Sequence, residues 1–242
     1  MTEQDDSTFP PAHDQPGPSR RKWILWGGAV AVLAAVSVAL VFKLPREREP
    51  GPIPRPETAR LAALGPQVAE LVSLLERGEQ TQYHAQYRAI TPEGTPAGTS
   101  MSIELWRSPP RLRQDVTVTA AGETATSAAF LLPSGGVGCT RETTDASWTC
   151  TAIPKDQSTA TESLARQITQ QTGAGPVTVR ATRIAGVAVR CFNLPVSEAT
   201  AEVCVTGEGI PALINSGGTR IELVSLAKQV PSKVFTPPVE PA

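Results

Sequence analysis

The residues of this 242-residue chain whose spacing says most about chemistry are its four cysteines, Cys139, Cys150, Cys191 and Cys204. A zinc site would need closely spaced Cys or His ligands. A thiol-redox site would need a CxxC pair. The chain has no CxxC, and His84 is the only histidine beyond residue 13. What remains is two structural disulfides in an oxidising compartment, set against four buried thiols in a cytosolic domain. Of the three pairings that four cysteines allow, Cys139–Cys150 and Cys191–Cys204 are expected. Each pair flanks a turn-rich connector, Glu142-Thr143-Thr144-Asp145 or the Pro195–Thr200 segment, between neighbouring strand candidates. Each bridge closes a short loop, worth on the order of 3 kcal/mol in the chain-entropy model.

The other reactive side chains read as ordinary surface. His84 is the only candidate for a Ser–His–acid triad and sits on the polar side of an alternating strand, as a solvated histidine would. Glu104, Asp115 and Glu123 read as outward-facing strand charges. Arg180, Arg183 and Arg190 read as a solvated sheet face. Gly135-Gly136-x-Gly138 follows Pro133-Ser134 and leads into a strand, so it is a turn rather than a phosphate cradle. GxSxG, HExxH, Walker A and GxGxxG patterns are absent. No catalytic residue, metal ligand or cofactor is expected, and the chain is not expected to be an enzyme. A net charge of −1 supplies no basic field for nucleic acid.

Trp23–Phe42 runs for twenty residues without a charge, flanked by Arg20, Arg21 and Lys22 on one side and Lys43, Arg46 and Arg48 on the other. A helix of about 20 residues spans the roughly 30 Å hydrocarbon core of a bilayer, and Trp23 and Trp26 suit its interface. A cleaved signal peptide would have a shorter apolar run and a small-x-small site, so a retained single-pass anchor is the preferred reading. The tail 1–22 is acidic and proline-rich and reads as disordered. Residues 43–58 carry five prolines and read as an extended spacer. Since every cysteine lies beyond the anchor, the expected topology has a cytoplasmic N-terminus and an extracytoplasmic domain over 59–238, with a short tail at 239–242.

That domain opens with a helix after Gly65, where Val68, Leu71, Val72 and Leu75 recur at helical spacing before Gly78; Leu61 and Leu64 add a preceding turn. Period-two text follows. Tyr83, Ala85, Tyr87 and Ala89 alternate with polar residues, as do Met101, Ile103 and Leu105, and, after Ser108-Pro109-Pro110, Leu112, Val116 and Val118. Further strands are expected at 124–132, 136–141, 147–153, 177–184, 187–194, 201–206, 212–215 and 219–226. A second helix interrupts them, with Thr159-x-x-Glu162 as its capping box and Gly173 as its stop. The predicted class is α+β with a large antiparallel sheet.

Three stretches resemble the LolA/LolB-like group: Thr81–Tyr87, the Ile103–Val116 hairpin with its Ser-Pro-Pro turn, and the ending Val230–Pro238. The resemblance implies a curved antiparallel half-barrel closed by helices around an apolar cavity for acyl chains. Soluble carriers of that group leave the membrane, whereas an anchored chain does not, and paired hairpin disulfides are no general feature of the group. On this reading Tyr83, Tyr87, Met101, Ile103, Leu105, Val116 and Val118 line the ligand face, since their alternation puts each set on one side of its strand. The expected ligand is a lipid, lipoprotein or other hydrophobic molecule of the bacterial envelope. The alternative is a filled core displaying its surface to an envelope protein, as scaffold or sensor. The alternation is the same in both cases.

Overall fold

The computed structural model describes residues 57–90, 98–153, 163–196 and 199–241. The uncharged run Trp23–Phe42, the tail 1–22 and the spacer to residue 56 lie outside these residues. Among the described residues no helix is long and apolar enough to cross a membrane.

Strand-forming text dominates, and it pairs into one sheet. β1 (Tyr83–Ile90), β2 (Ser100–Ser108), β3 (Arg111–Ala120), β4 (Glu123–Leu132), β5 (Gly135–Arg141) and β6 (Thr149–Ile153) form one meander. A second contains β7 (Thr178–Ile184), β8 (Val187–Val196), β9 (Ala199–Thr206), β10 (Pro211–Ser216) and β11 (Thr219–Ala227). The two join edge to edge, giving an eleven-stranded sheet of order β6-β5-β4-β3-β2-β1-β11-β10-β9-β8-β7, with every described pairing antiparallel. The sheet curls enough for β7 to touch β11.

Short turns fix the register of the hairpins. Ala121-Gly122 and Ala185-Gly186 carry positive φ at both central positions, the geometry that matches the twist of flanking strands. Pro109-Pro110 makes the β2–β3 turn through a cis peptide.

Among the described residues three α-helices accompany the sheet: α1 (Glu57–Ala63), α2 (Pro66–Glu79) and α3 (Leu164–Gln171). α1 begins inside the last two residues of the stretch read as spacer. Pro66 opens α2 as expected. The capping box at Thr159–Glu162 lies outside the described residues; the observed cap of α3 is Ser163, whose Oγ accepts from the Arg166 amide at 3.2 Å. Arg60 ties α1 to α3 by donating to the Thr169 carbonyl at 2.8 Å.

The expected α+β half-barrel closed by helices is therefore corrected, while the transmembrane helix expected before it falls outside the described residues. The described fold is predominantly β, and its helices cover one end of the sheet only. The reason is the width of their apolar stripes. Val68, Leu71, Val72 and Leu75 of α2, with Ala165 and Ile168 of α3, cluster with Phe192, Leu194, Val203 and Val205 of β8 and β9. Nothing is left on them to cover β1 to β3.

The seating of α2 is a backbone contact. A Cβ on Gly78 would lie 2.2 Å from the Gly209 carbonyl oxygen, and one on Gly209 would lie 1.7 Å from the Leu74 carbonyl oxygen. Gly209 also has φ +84°, which side chains rarely adopt. Gly209→Ala is expected to destabilise the fold by at least about 2 kcal/mol, read as a lower urea midpoint at unchanged m-value. Gly207→Ala, with open space around its Cβ, should change stability by no more than about 0.5 kcal/mol.

Candidate functional site

The seven residues expected to line a ligand face lie on one side of the sheet. Tyr87, Ile103 and Val116 are directly opposite one another across β1, β2 and β3, and Ala89, Met101 and Val118 form the next row. Leu105 faces Ala85, and Tyr83 faces Arg107. The second of these rows continues apolar across nine strands: Ala125, Val118, Met101, Ala89, Ile221, Ile214, Val203, Phe192 and Val179. At its β8–β9 end this row carries the helices.

Over β1 to β3 the same face divides by depth. Tyr83, Tyr87, Ile103 and Val116 are buried in a cluster with Ile210, Ala212, Ile221 and Leu223. Met101, Leu105 and Val118 are half-buried against that cluster. The bottom of the face is thus filled core, and its rim is reachable.

Both tyrosines are held neutral by burial. Burial raises the Tyr83 phenol, while Arg107, hydrogen-bonded to it, pulls the other way. Tyr87, more strongly raised by burial and then by Tyr83, donates to the Pro211 carbonyl at 3.1 Å. Arg107 also donates to the Glu79 carbonyl at the C-terminal end of α2, at 2.9 Å, where a cation suits the helix dipole.

The opposite face holds the residues that could have done acid–base chemistry. His84, Trp106, Arg113 and Phe130 are aligned across β1 to β4. The His84 ring stacks on Trp106 at 5.0 Å and 2°, and the Arg113 guanidinium lies 4.6 Å from Trp106 and 5.0 Å from Phe130. Beside this row, Glu104 and Asp115 face each other across β2 and β3, while Glu123 is elsewhere, opposite Ala120.

Two carboxylates in register would repel, and each has been given a cation or donor. Glu104 bonds His84 at 2.7 Å and accepts from Gln86 at 3.2 Å. Asp115 takes both arms of Arg113, at 2.8 and 2.5 Å. Burial nevertheless outweighs that pairing and raises the Asp115 carboxyl above its ordinary range, with Glu104 adding to the rise. His84 is therefore a half-buried, stacked member of a ladder, not a solvated side chain, and its partner is a carboxylate rather than a hydroxyl.

The C-terminal turn Ser232–Phe235 closes over the ladder. Arg113 donates to the Val234 carbonyl at 2.9 Å, and Arg111 lies 4.6 Å from the Phe235 ring. Both disulfides belong to this face. Cys139 and Cys150 are bonded across β5 and β6, and Cys191 and Cys204 across β8 and β9, each as directly opposite residues. The expected pairing is the observed one. Cys191, Glu202 and Cys204 lie close enough together to hold a metal, but both thiols are committed to the disulfide. The three arginines are dispersed: Arg180 pairs with Glu202 at 2.5 Å, Arg190 with Glu70, and Arg183 donates to the Gly186 carbonyl at 2.9 Å.

No known sequence family and no curated protein matches the chain. Solved structures do resemble it. MucB in complex with MucA(peri) is 12% identical, covering 69% of this chain and 60% of that one at a TM-score of 0.41. The Pseudomonas aeruginosa MucA/MucB complex is 11% identical, covering 71% and 61% at a TM-score of 0.48. PNGF-II is 12% identical, covering 64% and 29% at 0.33. The matched part is about 60% of the MucB-complex chains' length. At TM-scores below 0.5 these likenesses are partial and assign no activity to this chain.

Trp106, Arg107, Arg113, Gln114 and Phe130 had not been singled out as functional residues. Their signal lay in the hairpin: a two-residue turn at Pro109-Pro110 makes Trp106 face Arg113 and Glu104 face Asp115 by symmetric counting. Arg107 and Gln114 are polar residues at positions of apolar parity.

The chain has two tyrosines, and both are buried and raised. Their neutral forms favour the folded state, so this contribution is complete below the unfolded phenol pKa of about 10 and is lost as pH rises through the folded values. A near-ultraviolet absorbance titration should show no tyrosinate in the native protein at about pH 10, where the urea-unfolded chain is half ionised.

Proposed function

We propose that this domain binds a lipid or another hydrophobic ligand on the β1–β3 part of its apolar face. One observation carries the reading: the helices occupy only the β8–β9 end of that face, while Met101, Leu105 and Val118 form a reachable apolar rim beside it. An apolar surface rimmed by polar groups is where a hydrophobic ligand gains most from leaving water. The LolA/LolB-like character of the β2–β3 hairpin points the same way.

The role is non-enzymatic. The carboxylates, His84 and Arg113 satisfy one another on the opposite face. The proposed location is the extracytoplasmic side of a bacterial cell membrane, with the N-terminus cytoplasmic and the uncharged run Trp23–Phe42 as tether. Two disulfides favour that compartment. A second reading, an envelope interaction protein, is favoured by β7. This strand ends the sheet and is exposed along most of its length, and a sheet edge of this kind suits strand addition by a partner.

The test is native mass spectrometry of the full chain and of a Leu105→Glu, Val118→Glu variant. The wild type should carry a lipid-mass adduct that the variant lacks. At half-buried positions the two changes should each cost only about 1 kcal/mol of stability. Equal adducts in both proteins would remove the β1–β3 face as the site, and no adduct in either would favour the interaction protein.

A further inference from the structure

Two polar side chains interrupt the apolar face, and both present unused donors. Arg107 faces Leu112, and Gln114 faces Leu105. They are therefore diagonal neighbours on adjacent strands, roughly 7–8 Å apart at Cα and within reach of a common group. Arg107 spends Nη1 on the Glu79 carbonyl and also bonds the Tyr83 phenol. Its Nε is buried without a partner among the described residues, and so is Gln114 Nε2. Buried donors are almost always satisfied in folded proteins, so two orphans side by side mark a missing acceptor.

The charge of the surroundings says what kind. On β1 to β4 the face carries one carboxylate, the exposed Glu123 at the far end of β4, three same-face rows from Gln114. Glu104 and Asp115 share the other side, in the row of Gln86 and Ala128. Glu79, which acts on Tyr83, belongs to the end of α2. A guanidinium N–H and an amide N–H in an otherwise apolar setting match an anionic oxygen group.

Resting on the hydrophobic-ligand reading above, we infer that Arg107 and Gln114 form a headgroup site. The carboxylate or phosphate of an amphiphile accepts from Arg107 Nε and Gln114 Nε2. Its chain lies along Leu105, Met101 and Val118. Anion and chain are then recognised by one face of one hairpin.

Binding of palmitate, dioleoyl phosphatidic acid and neutral hexadecanol to the full chain in amphipol tests this. Gln114→Leu keeps the side chain's size and removes one orphan donor. Arg107→Lys keeps the charge and the reach toward Glu79 while removing Nε–H. Each is expected to weaken binding of the anionic amphiphile about 10- to 100-fold, the loss of one charge-assisted hydrogen bond, and to leave hexadecanol unchanged. Loss for palmitate alone assigns the head as a carboxylate, and loss for phosphatidic acid alone assigns a phosphate. A urea midpoint of Gln114→Leu at or above wild type excludes unfolding as the cause. Wild-type affinity of both variants for both anions would overturn the headgroup site and leave the apolar face standing. Failure of the wild type to bind any of the three would overturn the face itself.

Discussion

The pairing of β1 with β11 is the constraint on which the rest of the structure depends. Every other strand pair in the sheet joins neighbours in sequence, and most of these are closed by local turns. This pair runs from His84 opposite Ala227 to Ile90 opposite Arg220 and joins the two meanders edge to edge. It is also where the apolar face becomes continuous, because Ala89 meets Ile221 and Tyr87 meets Leu223 there. A one-residue slip would turn one meander's apolar set toward the other side. The irregularity between Gln86 and Tyr87 absorbs a residue at the seam and lets Ala85 and Leu226 stay together. Closing such a distant pair costs more chain entropy than closing a hairpin, so the seam forms at the expense of the locally folded strands around it.

Either side of that seam, the two faces of the sheet have different tasks. One is charged, stacked and cross-linked: the His84–Trp106–Arg113–Phe130 ladder, the Glu104 and Asp115 partners, both disulfides and the C-terminal turn all lie there. These interactions hold strands to their neighbours, and the two disulfides lie toward opposite ends of the sheet. The other face is apolar along most of β1 to β3 and seats the helices at β8 and β9. The first face also packs, through Phe130, Val137 and the Cys139–Cys150 bridge and through Val189, Cys191, Cys204 and Leu213. Because the first face supplies rigidity without the helices, the helices need only cover β8 and β9, and the β1–β3 rim stays accessible without the strands beneath it coming apart.

Alternation is a local property, and it made all eleven strands legible in the sequence to within about two residues at each end. The same locality made the seven rim and core residues legible as one set, and the turn-flanking cysteines legible as pairs. The fold class was misjudged for the opposite reason. Two amphipathic helices are visible in the text, but how much sheet they cover depends on which strands lie beneath them, and the β1–β11 seam that decides this joins segments more than a hundred residues apart. His84 was misread because its stacking partner Trp106 and its acceptor Glu104 are on another strand. Burial of Tyr83 and Val116 and half-exposure of Met101 and Leu105 are likewise set by what packs above them. Parity gives the side of the sheet a residue takes; depth comes from the tertiary fold.

Met101 offers the most direct view of the central claim, that the β1–β3 rim takes a hydrophobic ligand. The chain has two methionines, Met1 and Met101, so methyl-13C methionine labelling yields one resonance from the rim and a second, from Met1, outside the described residues. On titration with palmitate the account predicts a saturable shift of the Met101 methyl, assigned by its loss in Met101→Leu. A Met101 resonance that stays in place while palmitate binds the protein would contradict it.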